Sequence, residues 1–304
     1  MEDWRKNKGA FAIFLGPASF WLLVFFVIPL ILVWVYSFGE RGPQGQTYLV
    51  FNLENYVRAI EPIHLGIMWK SIWIGAISTA VCLVVGFPVA MGIAFAPNRW
   101  KNPLLLIVVL PFFTNLLIRT YAWIAVLRTR GFLNFGLEWV HEKIDWLVTL
   151  AGFPDAMGNF VPLELLYNQY AVIIGLVYVH LPFLILPLYA TLEKLDRSYM
   201  EASLDLGAGQ WRTFFLVLVP LVMPGIVSGS LLVFILSMGN FLVPDLLGGT
   251  DSLMIGNLIA REYGAARDWP FGSALSFMIM YPVFIFFVIN AMVARYRTNK
   301  RAET

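Results

Sequence analysis

The sequence predicts an all-α, polytopic membrane protein with six transmembrane helices. Three observations carry that class. Hydrophobic side chains make up 59% of the 304 residues and charged ones only 13%. The mean hydropathy is +0.74, far above that of a soluble domain. The apolar residues also gather into six runs, each long enough for the roughly 20 helical residues that a bilayer core of about 30 Å requires. The single cysteine, Cys82, lies inside one run, which excludes an intramolecular disulfide. A net charge of +2 is too small to point to nucleic acid.

The predicted helices occupy about 11–38, 67–96, 104–127, 170–192, 214–243 and 272–294. The first follows Arg5, Lys6 and Lys8 but is too long for the apolar core of a signal peptide, so it is read as a span. Lys and Arg then set the orientation. Arg99, Lys101, Lys194, Arg197, Arg212, Arg295, Arg297, Lys300 and Arg301 fall on the same side as the N-terminus, so both termini are predicted cytoplasmic. The loops at about 39–66, 128–169 and 244–271 then lie outside and carry carboxylates such as Glu138, Glu142, Asp145, Asp155 and Glu164. Within them, LEWVHEKIDWLVTL suits an interfacial helix and a solvated loop equally.

Between the fourth and fifth predicted helices, at about 193–213, the chain turns polar: LEKLDRSYMEASLDLGAGQWRTFF. Leu195, Tyr199, Ala202, Leu206 and Trp211 make a partly apolar face, with Glu201, Asp205 and Arg212 polar. Gly207 and Gly209 permit a turn that other residues resist. Physics alone allows a projecting helix–turn–helix or a plain loop.

Glu201, Ala202, Gly207, Val217, Val219 and Pro220 resemble the EAA motif of ABC-importer permeases. Ser203 stands where that motif has its second alanine, Val217 where it has isoleucine and Val219 where it has leucine. Further segments, including PFFTNLLIRTYAW, GLVYVHLPFLILPLYATLEKLD, PGIVSGSLLVF, VPDLLGG, MIGNLI and RDWPFGSALS, are similar to the spermidine/putrescine (PotB/PotH-type) permeases. The resemblance covers nearly the whole chain and implies one permease domain over residues 1–304, with the type I importer (MetI-like) fold. It implies that Glu201, Ala202, Asp205 and Gly207 couple the chain to a cytoplasmic ATPase. The implied partners are an ABC ATPase dimer, a second, PotC-type permease, a periplasmic or extracellular polyamine-binding protein and membrane lipid. The implied location is a bacterial inner membrane, and the implied cargo is a polyamine, the alternative being another small organic cation or compound.

No lysine follows a glycine, so the GK of a Walker A loop is missing; the chain is expected to be a transport subunit, not an enzyme, with no catalytic residue, metal or cofactor of its own, ATP being bound by the partner ATPase. A polyamine path should combine aromatic faces with sparse carboxylates. Asp245 is the acidic candidate, the alternative being a loop cap or an ion pair. Tyr121 and Trp123 are aromatic candidates, the alternative being interface anchors. Asn240 and Phe241 lie where Gly239 and Pro244 interrupt the fifth helix, as a cavity-lining break or a simple kink. Arg119 is expected to form an ion pair with an outer-loop carboxylate or to snorkel, His180 to hydrogen-bond a neighbouring helix or a freed carbonyl, and Gly225 with Gly229 to pack a helix closely. An ion-driven secondary transporter should show inverted repeats, and an intramembrane hydrolase a nucleophile with its base; neither pattern is present.

Overall fold

The computed structural model describes residues 8–151 and 158–302. Arg5, Lys6 and Asp155 lie outside those ranges. The helices are α1 (Lys8–Leu22), α2 (Ile28–Tyr36), α3 (Glu54–Ala59), α4 (Pro62–Phe95), α5 (Asn98–Val109), α6 (Leu116–Leu127), α7 (Phe132–Leu150), α8 (Gln169–Leu192), α9 (Ser198–Asp205), α10 (Gln210–Thr213), α11 (Val219–Gly239), α12 (Leu242–Leu247), α13 (Ile255–Tyr263) and α14 (Trp269–Ala302). A two-stranded antiparallel ribbon, β1 (Glu40–Arg41) with β2 (Thr47–Tyr48), sets Glu40 opposite Tyr48 and Arg41 opposite Thr47.

Two widened π-type turns have one cause. Leu23–Val27 precedes Pro29 and Phe214–Leu218 precedes Pro220, with the same offset in both. A proline ring clashes with the carbonyl four residues earlier and supplies no N–H. Those carbonyls belong to Phe25 and Leu216, each in the middle of a widened turn, so the helix swells instead of breaking.

Four helical stretches are long and apolar enough to span a membrane: Ile13–Tyr36, Pro62–Phe95, Gln169–Leu192 and Gln210–Gly239. The third predicted helix, 104–127, is not continuous. Asn98–Phe113 and Leu116–Leu150 meet at a 93° bend, and counting that pair as one span makes five. The sixth prediction, 272–294, falls on α14, whose shorter apolar part is Trp269–Ile285. The bend is written in PFFTN. Thr114 Oγ1 donates to the Pro111 carbonyl at 2.7 Å, ending one helix, and the Asn115 side chain accepts from Leu117 N at 2.8 Å, starting the next. The fifth predicted helix likewise stops at Gly239 and resumes as α12.

The chain packs as two compact units, residues 67–257 and the remainder. In the latter, α2 and α3 lie against α14 through a tyrosine chain: Trp34 Nε1 donates to Tyr281 Oη (2.9 Å), Tyr281 Oη meets Tyr56 Oη (3.2 Å), and Tyr56 Oη meets Ser37 Oγ (2.8 Å). Arg58 donates to buried Asp268 at 2.8 Å and lies 3.8 Å over the Phe271 ring. Asp268 also caps α14 by accepting from Phe271 N at 3.2 Å. Glu262 is buried nearby, and burial pushes its carboxyl above the usual range, against the opposing pull of Arg58.

A raised folded-state pKa means that ionised Glu262 destabilises the fold as pH rises from the ordinary carboxylate range through that raised value. Glu262→Gln is therefore expected to raise the thermal midpoint of the purified protein at about pH 8 and to leave it unchanged near about pH 4. Equal midpoints for both proteins at the higher pH refute this assignment.

In the 67–257 unit, α8 and α11 form the broadest helix contact. Gly225 and Gly229 of α11 permit it: an added Cβ at 225 would stand 2.5 Å from Thr191 Oγ1, and one at 229 would stand 3.2 Å from the Leu184 carbonyl oxygen. In lipid, such close packing supplies what water-driven burial supplies elsewhere. One apolar cluster, including Ala90, Ile93, Leu188, Leu192 and Val222, joins α4, α8 and α11. A second, including Ile74, Leu127, Leu176, Val243 and Met254, adds α6 and α12.

Candidate functional site

The polar segment after α8 is a helix–turn–helix, which removes the plain-loop alternative. Asp196 starts it by accepting from Ser198 N at 3.0 Å; that backbone bond first, and the Ser198 hydroxyl second, hold its carboxyl below the usual range. α9 carries Glu201, Ala202 and Asp205, all solvent-exposed. Its end is a complete Schellman motif: Ala208 N donates to the Ser203 carbonyl (3.1 Å), Gly207 N donates to the Leu204 carbonyl (2.9 Å), and Gly207 has φ +81°. A left-handed residue at this position is usually glycine because a Cβ is strained there.

The motif departure at 203 has a structural use. Ser203 Oγ meets Thr213 Oγ1 at 2.9 Å, tying α9 to α10 across the turn. Two further ties anchor the segment to the bundle. Arg197 lies 5.0 Å over the Phe95 ring at the end of α4, and Lys101 Nζ of α5 is 3.5 Å from Glu193 Oε1 at the end of α8. The Tyr189 hydroxyl first, then Lys101, hold the Glu193 carboxyl below its ordinary value. Apolar side chains nevertheless face outwards here: Leu206 is 89% exposed and Trp211 78%.

The second region is the break between α11 and α12. Asn240 ends α11 and its side chain accepts from Val243 N at 3.0 Å, starting α12. Asn257 Nδ2 donates to the Phe241 carbonyl at 2.8 Å, and Asn257 Oδ1 accepts from Met254 N at 3.3 Å. Ser71 Oγ of α4 accepts from Ile255 N at 2.7 Å. Gly256 lies so close that a Cβ there would be 2.8 Å from the Gly239 oxygen and 2.9 Å from the Asn240 oxygen. The interruption is thus a built break, with the Phe241 carbonyl and the Val243, Met254 and Ile255 N–H groups bonded, not a simple kink. Asn257, Gly256 and Ser71 were not singled out from sequence; the run MIGN was the available signal.

A cavity of about 340 Å³ opens at this break, lined by His180, Asn240, Phe241 and Leu116 among others. His180 Nδ1 meets Ser237 Oγ of α11 at 3.0 Å, as expected of a helix–helix contact. Trp123 lies in a different cavity, of about 410 Å³, with Arg119, Thr114 and Tyr178; its ring meets Tyr178 edge-on at 5.5 Å. Tyr121 and Asp245 are exposed and line neither cavity. Asp245 forms no ion pair among the described residues. Arg119 does not have the expected ion pair either: among the described residues no carboxylate lies within 4 Å of it. A larger cavity, about 720 Å³, is bounded by Trp73, Tyr167, Tyr170 and Asp251. The described residues hold no cluster suited to a metal ion.

A bundle of apolar helices, two of them interrupted, with an exposed capped segment after the fourth predicted helix, is the architecture of a polytopic membrane protein. The chain belongs to the family described as binding-protein-dependent transport system inner membrane component, the permeases of ABC importers, which matches residues 83–298. Among its relatives is the spermidine/putrescine transport system permease protein PotB of Escherichia coli K12, 38% identical over 283 residues that cover 93% of this chain and 97% of PotB. PotB of Haemophilus influenzae is 40% identical, over 90% of this chain and 92% of that protein. The fold is similar to a chain of the bacterial alginate ABC transporter solved with its alginate-bound periplasmic protein, with a TM-score of 0.65, 15% identity and 94% of each chain covered.

Proposed function

We propose that the chain is the permease of an ATP-driven importer of polyamines, putrescine or spermidine. The observation that carries the cargo is the 38–40% identity, over nine-tenths of the chain, to permeases named for spermidine/putrescine transport. The chain sits in a bacterial inner membrane as six spans, the bent pair and α14 included, with both termini cytoplasmic. ATP is bound by a separate ATPase pair, so the chain needs no cofactor of its own. One ATPase-facing segment per chain calls for a second permease, of PotC type, and a periplasmic or extracellular polyamine-binding protein delivers cargo to the outer face.

The α9–α10 segment is the handle, with Glu201, Ala202, Asp205 and Gly207 at the ATPase surface. Its exposed Leu206 and Trp211 suit a protein groove better than water. Its ties to α4, α5 and α11 carry movement into the bundle. Closure of the ATPase pair shifts the segment, the bundle opens outwards to take cargo, and hydrolysis resets it.

Uptake by the reconstituted complex should need internal ATP and no ion gradient. Uptake driven by an ion gradient alone would establish a secondary transporter instead. A second reading keeps the ATP-driven permease and changes the cargo to another small organic cation; competition by putrescine and spermidine in the same vesicles separates the two.

Asp245, Asn240, Phe241, Trp123 and Tyr121 remain the proposed path residues. Exposed and unpaired beside the break, Asp245 suits an ammonium group. Asp245→Asn should raise the half-saturating polyamine concentration about tenfold, the worth of one charge-assisted hydrogen bond, with the complex still assembled. Unchanged affinity and rate remove Asp245 from the path.

A further inference from the structure

We infer that the guanidinium of Arg119 is completed by a carboxylate of the second permease subunit, which makes the α6 face part of the permease–permease contact. The inference rests on the two-permease reading above. Arg119 is the one charged residue of α6, in LLIRTYAWIAVL. Its Nε is buried with no hydrogen-bond partner, and the side chain lines the 410 Å³ cavity with Thr114, Trp123 and Tyr178. A partly buried guanidinium whose Nε is orphaned, in a lipid-embedded bundle, calls for an anion.

This chain does not supply one among the described residues. α8, the other wall of the cavity, carries no acid, and Asp245 stands on α12, which packs against α6, yet does not pair with Arg119. Cationic cargo is repelled. A lipid phosphate is the other source of an anion, and the dependence of assembly on anionic lipid separates the two.

The anion we assign is a carboxylate of the second chain. The surface beside the cavity suits a helix of a second chain, because Ile118 is 68% exposed and Leu117 42% exposed on the same helix. One buried ion pair within such an apolar contact sets register between two chains.

The test uses the complete complex, tagged on this chain and purified from membranes. Arg119→Met and Arg119→Glu should retain at least about tenfold less second permease than wild type, whereas Arg119→Lys retains most of it. Exchanging charges, with Arg119→Glu set against a lysine in place of one membrane carboxylate of the second permease, should restore assembly. A benzophenone amino acid in place of Ile118, with Arg119 intact, should cross-link to the second permease, a readout independent of how the Arg119 variants fold.

Full retention of the second permease by Arg119→Met overturns the inference. So does an absence of that cross-link, or assembly that depends on anionic lipid instead of on a carboxylate of the second chain. Wild-type complexes that contain no second permease would overturn the two-permease reading itself, a different result from wild-type assembly with indifferent Arg119 variants.

Discussion

Replacing Gly207 with valine is expected to abolish most transport while the chain still reaches the membrane in normal amounts. The expectation separates two reasons for glycine. Nothing lies within 4 Å of the Cβ that a side chain would add at 207, so no clash arises. The backbone there is left-handed, φ +81°, and a residue with a Cβ loses about 1–2 kcal/mol in that region. β-branching adds to the loss, and the Schellman bonds to Ser203 and Leu204 hold only while the turn keeps its form. Once the turn opens, α9 no longer returns to α10, the Ser203–Thr213 contact is lost, and movement of the ATPase does not reach α11. Uptake in proteoliposomes should fall at least about tenfold while ATP hydrolysis by the complex persists. Gly207→Asn should keep most of the uptake, because asparagine tolerates the left-handed region. Equal uptake by the valine variant and wild type would show that the turn has no part in coupling.

Much of this helix–turn–helix and the span before it was legible in the residues. The apolar run at 170–192 matches α8, Gln169–Leu192, nearly residue for residue, since Asn168 caps one end and the chain turns polar at Glu193. Gly207 read as a turn because few other residues accept that backbone. His180 and the Gly225/Gly229 pair also met expectation, since a polar group and small residues inside a span have few other uses. The interruptions were harder. Hydropathy sums over a window and cannot register a change of direction, so 104–127 read as one helix although Thr114 and Asn115 divide it. Arg119 was read as an ion pair or a snorkelling side chain, and no described carboxylate lies within 4 Å of it. Asn257 was invisible because its role depends on a carbonyl at Phe241, sixteen positions away and brought close only by the fold.

That long-range role makes Asn257 the second position of large expected effect. Its side chain is 8% exposed and serves two backbone groups at once, donating to the Phe241 carbonyl and accepting from Met254 N. Asn257→Leu has similar bulk and can do neither. The Phe241 carbonyl keeps its bond from Asp245 N, but Met254 N is left buried without an acceptor at a cost of about 1–3 kcal/mol, so the break between α11 and α12 should loosen and the midpoint of thermal unfolding should fall. Asn240 and Phe241 line the cavity at that break, so uptake should fall about tenfold or more alongside stability. Asn257→Asp isolates the donor: a carboxylate still accepts from Met254 N but has no proton to offer Phe241, and it adds a buried charge. Gly256→Ala acts on the same backbone from the adjoining position, where its methyl would press on the Gly239 and Asn240 oxygens. Because both changes disturb one break, the double variant should lose less than the sum of the single losses. Strict additivity would mean that Asn257 and Gly256 support separate structures, and wild-type uptake with wild-type melting in Asn257→Leu would mean that the break needs no clamp.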